Sequence, residues 1–178
     1  MRFKDKSVII TGGGGKIAKA YAMAFAKEGA KLSLPDIASA DQIVKTIKDM
    51  GGTAISMACD VSNEQSVKAM VDETVQQFGT VDVLINNAAY FMSVWKGPFW
   101  EMSVEEFDKA MAVNVRGSWL CAKAAVPYMQ KQKSGKIINI SSSTAYWGTP
   151  NFLHYVVSKA ALIGMTRSLA REVGEFGI

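Results

Sequence analysis

Cysteine, histidine and proline are scarce in this sequence: two, one and four residues among 178. Cys59 and Cys121 lie far apart with no Cys-x-x-Cys spacing, which argues against a disulfide framework and against a zinc cluster. Both fit reduced thiols, and a cytoplasmic location is expected. With one histidine, His154, no metal site is expected. No apolar run is long enough to cross a bilayer, and Met1-Arg2-Phe3-Lys4-Asp5-Lys6 lacks the apolar core of a signal peptide. A membrane partner is therefore not expected. The net charge of +4 comes from scattered lysines rather than a block, so a nucleic-acid partner is not expected either. No internal repeat or low-complexity linker interrupts the chain.

What is present suits a single globular domain over residues 1–178, large enough to bury a core. Hydrophobic residues make up 49% and charged residues 20%. Strand-like and helix-like stretches alternate throughout, which predicts an α/β fold with a parallel sheet and helices on both faces. Strands are expected at 6–11, 31–35, 53–59, 81–86 and 136–141. Helices are expected at about 16–28, 41–50, 63–78, 104–131 and 155–173. Asn63 or Ser62 should cap the third helix and Gly79 should stop it; Ser103 should cap the fourth.

Tyr155 and Lys159 open the last helix at i, i+4, which places both side chains on one face, a turn apart. On a bare helix this spacing is often ordinary surface. A lysine ammonium held beside a phenol stabilises the phenolate, so the tyrosine pKa is expected to fall and suit it to acid–base work. Ser142 ends the fifth strand thirteen positions upstream. Asn86-Asn87-Ala88-Ala89 follows the fourth strand, Asn114 sits inside a long helix, and Thr11-Gly12-Gly13-Gly14-Gly15 joins the first strand to the first helix. Glycines at such a junction let an anion approach backbone amides at a helix N-terminus.

In order and spacing these residues resemble the short-chain dehydrogenase/reductase family over the whole chain. The resemblance implies a Rossmann-type, doubly wound parallel sheet binding a nicotinamide cofactor, and hydride exchange with a secondary alcohol or ketone. Tyr155 would be general acid or base, Ser142 would hold the substrate oxygen, and Lys159 would hold the nicotinamide ribose. Asn114 would bend its helix and hold a water linked to Lys159. Thr11, Gly12, Gly14, Lys16 and Ile17 would cradle the pyrophosphate, Asp60 and Val61 would flank the adenine, and Asn87 and Ala88 the adenosine ribose. Asp36, ending the second strand, would accept the ribose hydroxyls and repel a 2′-phosphate, favouring NAD over NADP; its alternative is a turn aspartate after Pro35. The family pattern Thr-Gly-x-x-x-Gly-x-Gly is broken by Lys16 and Ala18. Lys16 either lends its charge to the pyrophosphate or blocks close approach with its Cβ.

The stretch from Tyr90 to Trp100 is unusually aromatic for a loop. It reads either as an apolar substrate wall or as a loop pinned to the core by its own rings. His154 is left as a pocket-lining group. In the family the chain runs on into two more strands, a Pro-Gly turn and a mobile lid, so the polypeptide is expected to extend beyond Ile178. Helices 104–131 and 155–173 are those the family uses to form homodimers and homotetramers. The leading expectation is an NAD-dependent alcohol dehydrogenase or ketone reductase. The alternatives are a 3-oxoacyl carrier-protein-type reductase and a non-catalytic nucleotide-binding protein.

Overall fold

The computed structural model describes all of residues 1–178. Five parallel strands form one sheet in the order β3-β2-β1-β4-β5: β1 Ser7–Ile10, β2 Lys31–Asp36, β3 Thr53–Ala58, β4 Val83–Asn86 and β5 Lys136–Asn139. The chain leaves β1 for β2 on one side and returns to β4 on the other. That reversal opens a crevice beyond the C-terminal ends of β1 and β4, where doubly wound sheets bind their ligands.

A parallel sheet is stable only with both faces covered, and β1 shows how the sequence arranges this. Successive side chains point to opposite faces. Val8 and Ile10 join Leu32, Leu34 and Val83 under α1 (Lys16–Lys27) and α2 (Asp41–Asp49). Ile9 and Leu84 join Val67, Met70, Leu120 and Met129 under α3 (Glu64–Phe78) and α5 (Gly117–Lys131) on the other face. Ala18, where the family pattern has glycine, is fully buried among the first group, so its methyl fills helix–sheet space.

The expected caps are present. Asn63 accepts the Ser66 N–H at 2.9 Å, and Gly79 closes α3 in the left-handed region at φ 89°. Ser103 accepts the Glu106 N–H at the start of α4 (Val104–Met111). The single helix expected over 104–131 is instead two, joined by a π-helical turn at Ala112–Arg116. One extra residue enters the helix there, the usual cause of a local distortion near a functional site. A four-residue helix after β5, α6 (Thr144–Trp147), was not expected, and α7 runs Leu153–Val173. No helix is long and apolar enough to cross a membrane.

Candidate active site

The glycine turn after β1 is built by exclusion. Gly12 takes φ +69°, which side chains disfavour. A Cβ on Gly13 would lie 2.7 Å from the Leu34 backbone, so the turn rests directly on β2. The Gly13 N–H donates to the Pro35 carbonyl at 2.9 Å and the Gly15 N–H to the Gly12 carbonyl at 3.1 Å, so the amides open to an anion are those at the start of α1, where Lys16 stands exposed. Ile17 is exposed beside it, at 57%. Such a cradle fits a pyrophosphate.

Side chains tie the cradle to its neighbours. The Thr11 hydroxyl accepts the N–H groups of Asn87 and Ala88, each at 3.0 Å, and the Asn87 amide donates to the Thr11 carbonyl at 2.9 Å. The ends of β1 and β4 are thus clamped across the crevice. Asp36 accepts the Gly14 N–H at 2.9 Å with one oxygen and the Ala38 N–H at 2.8 Å with the other. The carboxylate thus makes the contact expected of a turn aspartate and also bonds the glycine turn. Asp60 accepts both the N–H and the hydroxyl of Ser62. Val61 is buried, with Gly117 packed so close that a Cβ there would meet it at 2.8 Å.

On the other side of the crevice, α7 brings Tyr155 and Lys159 beneath the end of β5. Lys159 is 3% exposed, and its Nζ donates to the Ile140 carbonyl at 2.7 Å. It lies over the Tyr155 ring, 5.7 Å from its centre, rather than at the hydroxyl. The Tyr155 ring is stacked on Phe152 at 4.7 Å and touched by Phe91 at 5.1 Å. Burial raises the phenol's pKa, with the Ser142 hydroxyl acting the other way. The expected fall is therefore corrected: desolvation outweighs the neighbours, and the lysine is turned to a backbone carbonyl. Ser142 also receives the Thr144 hydroxyl at 3.0 Å.

Burial pulls the Lys159 pKa down from 10.5 to about 8. A depressed lysine contributes stability that is full above its unfolded value and lost as pH falls through its folded value. Native protein should therefore gain about 1 kcal/mol relative to Lys159→Met between about pH 7.5 and pH 9. Denaturant titrations of both proteins at the two pH values check this. A difference that stays constant with pH would contradict it.

Asn114 occupies the π turn, fully buried. Its oxygen accepts the Tyr90 N–H at 2.7 Å, and its amide donates to Ser158 at 2.9 Å. The helix departs from α geometry at Asn114 as a π turn, and the residue joins the aromatic loop to α7. His154 is fully buried, with Nε2 3.3 Å from Glu106. The pocket-lining reading of His154 is thus corrected, because no surface of it reaches a cavity. Glu106, in the first turn of α4, is its partner.

The aromatic loop divides between the two readings. Val94 packs with Phe152 and Tyr155, with Tyr90 against them, so this part pins the loop. Phe91 contacts the Tyr155 ring while remaining partly exposed, and Met92, Phe99 and Trp100 are more exposed still. A cleft of about 420 Å³ runs between Pro98–Trp100 and Gly148–Leu153. It shares Phe152 with the tyrosine's surroundings but touches neither Ser142, Tyr155 nor Lys159.

The family model for enoyl-(acyl carrier protein) reductases matches residues 14–178. The chain belongs to the short-chain dehydrogenase/reductase family. It is an oxidoreductase of that family, with the Rossmann-type sheet of five parallel strands. An uncharacterized oxidoreductase of Thermotoga maritima is 44% identical over 180 residues, spanning 100% of this chain and 70% of the relative. A 3-oxoacyl-[acyl-carrier-protein] reductase of the same organism is 35% identical, over 97% of this chain and 70% of the relative. Among solved structures, NAD⁺-bound xylitol dehydrogenase superposes with a TM-score of 0.95 at 32% identity, covering 100% of this chain and 68% of that one. Levodione reductase gives 0.91 at 34% identity, covering 98% and 69%. As a short-chain dehydrogenase/reductase the chain uses a nicotinamide cofactor, and its glycine cradle fits one.

Proposed function

We propose that this protein is an NAD-dependent alcohol dehydrogenase or ketone reductase in which Tyr155 moves the proton. The observation that carries the reading is the meeting of Ser142, Tyr155 and Lys159 at the end of β5, across the crevice from the glycine cradle. The nicotinamide, when bound, supplies or accepts the hydride. Thr11, Gly12, Gly14, Lys16 and Ile17 hold the pyrophosphate, with Asp60, Val61, Asn87 and Ala88 along the adenosine. Lys16 is exposed, so its charge can turn toward the phosphates without its Cβ entering the turn.

Tyr155, protonated at neutral pH because burial raises its pKa, donates to the carbonyl oxygen in reduction and accepts from the alcohol in oxidation. Ser142 donates a hydrogen bond to the same oxygen, and Lys159 presents its charge beside the ring and holds the ribose. Asn114 fixes the α7 backbone through Ser158. The small-molecule partner is an alcohol or carbonyl compound. The two free buried thiols fit a reducing compartment such as the cytoplasm. Assembly as a homodimer or homotetramer through α4–α5 and α7 is checked by light scattering.

The experiment is NADH titration by fluorescence, then turnover with xylitol, cyclohexanol and ethyl acetoacetate. Asp36, with a carboxylate oxygen facing the cradle, should make NAD(H) bind more tightly than NADP(H). Asp36→Ser should narrow the gap at least about tenfold by removing like-charge repulsion. Equal affinity of the native protein for both cofactors would overturn the assignment. A second reading, reduction of a 3-oxoacyl group on a carrier, is favoured by the relative of that name. Turnover of acetoacetyl-carrier protein far above the three small substrates would establish it. Binding of NADH with no turnover of any of these substrates would leave the non-catalytic nucleotide-binding reading.

A further inference from the structure

Glu106 is the most heavily bonded carboxylate in the region, and the mechanism above does not use it. It projects from the first turn of α4 with its side chain 18% exposed. One oxygen accepts the Trp95 N–H at 2.8 Å and faces His154 Nε2 at 3.3 Å. The other accepts the Tyr90 hydroxyl at 3.1 Å. Burial alone would raise its pKa, yet the Trp95 N–H, the Tyr90 hydroxyl and His154 together hold it below the usual carboxylate value. The group is therefore a charged acceptor at neutral pH, and charge-assisted bonds to it are the strong kind.

The three donors come from two different segments, both next to Tyr155. Tyr90 and Trp95 bracket Phe91, whose ring lies 5.1 Å from the Tyr155 ring. His154 precedes Tyr155 in α7, and Phe152 stacks on Tyr155 and meets Phe91 edge-on at 6.0 Å. The second ring nitrogen of His154 has no partner although the residue is fully buried. Its bond to Glu106 is thus the only polar tie fixing that ring and its tautomer. An aromatic loop has no ladder of its own to hold it, so its position depends on such side-chain ties.

We infer that Glu106 is a positioning residue, a latch that holds the Phe91 wall and the start of α7 against each other so that Tyr155 faces the substrate oxygen. This rests on the Tyr155 reading above. Glu106 touches no reacting atom; it acts by fixing both walls of the substrate side of the crevice. Misplacement by about 1 Å is enough to cost on the order of a hundredfold in rate. The cofactor cradle lies on other elements and should not feel the change.

The test compares Glu106→Ala with Glu106→Gln. Glutamine can meet all three contacts: its carbonyl accepts from Trp95 and His154, and its amide donates to the Tyr90 oxygen. That frees the Tyr90 proton for the Ser93 carbonyl, already 3.1 Å away. In Glu106→Ala, hydrogen exchange of peptides covering 90–97 should quicken at least about tenfold. The kcat/KM for the best of the three small substrates should fall about ten- to a hundredfold. NADH affinity should stay within about twofold, and Glu106→Gln should restore both quantities to within about threefold of native.

Equal losses of NADH affinity and kcat/KM would mean a general structural role and overturn the latch, as would native kcat/KM in Glu106→Ala. If native protein turns over none of the substrates, the Tyr155 reading fails, and unchanged exchange at 90–97 in Glu106→Ala then separately overturns the latch. Should Glu106→Ala fail to fold, Tyr90→Phe removes one tie and keeps the ring. It should quicken exchange in the same peptides, and its failure to do so overturns the proposal.

Discussion

Tyr155→Phe is expected to lower turnover by about a hundredfold or more, the scale of positioned acid–base catalysis. The substitution deletes one oxygen. The ring keeps its stack on Phe152 and its contact with Phe91, so packing worth about 0.5–1.5 kcal/mol per aromatic pair is retained. Stability should consequently change little, and NADH affinity should stay within about twofold because the cradle lies across the crevice. The direction of the proton follows from the environment. A phenol raised by burial is a donor at neutral pH, suited to reduction, whereas oxidation needs the phenolate. Oxidation by the native protein should therefore speed up as pH rises above neutrality more than reduction does. Steady-state rates in both directions and a parallel NADH titration check these points. Ordinary turnover by Tyr155→Phe would show that another group moves the proton.

The sheet was legible because its strands are short apolar runs between turn residues, and because Val8, Ile9 and Ile10 need two covered faces. The reacting set was legible because a fixed spacing on one helix, read with Ser142 at a strand end, has few other uses. The sign of the Tyr155 shift was not. It depends on how deeply Phe152 and Phe91 bury the ring, and on Lys159 bonding to the Ile140 carbonyl. Backbone acceptors leave no mark in a sequence. Asn114 was visible as an anomaly within a helix, but its partners Tyr90 and Ser158 were not. The partners of Glu106 were hidden for a different reason. An acid in the first turn of a helix already has a local explanation in the helix dipole, and its three partners come from elsewhere in the chain. The signal that could have found it is the lone histidine: a buried histidine needs a partner, and few acids lie near it in the order of elements.

Gly13→Ala should damage both the fold and the cofactor site. The added methyl would sit 2.7 Å from the Leu34 carbonyl carbon and 2.7 Å from its Cβ. Neither can retreat: Leu34 is fully buried in β2, which is hydrogen-bonded to β1 on one side and β3 on the other. The turn must move instead. Moving it loosens the Gly13 N–H bond to the Pro35 carbonyl, 2.9 Å, and the Gly14 N–H bond to Asp36. Overpacking of this kind costs about 1–3 kcal/mol. The turn leads directly into α1, so its displacement shifts the helix N-terminus that would face the pyrophosphate, and NADH affinity should fall at least about tenfold. Gly15→Ala is the control, since its methyl meets only the Gly12 carbonyl oxygen at 3.2 Å. Its stability should stay within about 1 kcal/mol of native. Denaturant midpoints and NADH titrations of the two variants decide the matter. Native NADH affinity in Gly13→Ala would mean that the glycine turn does not hold the cofactor, and the cradle would have to be sought elsewhere in the crevice.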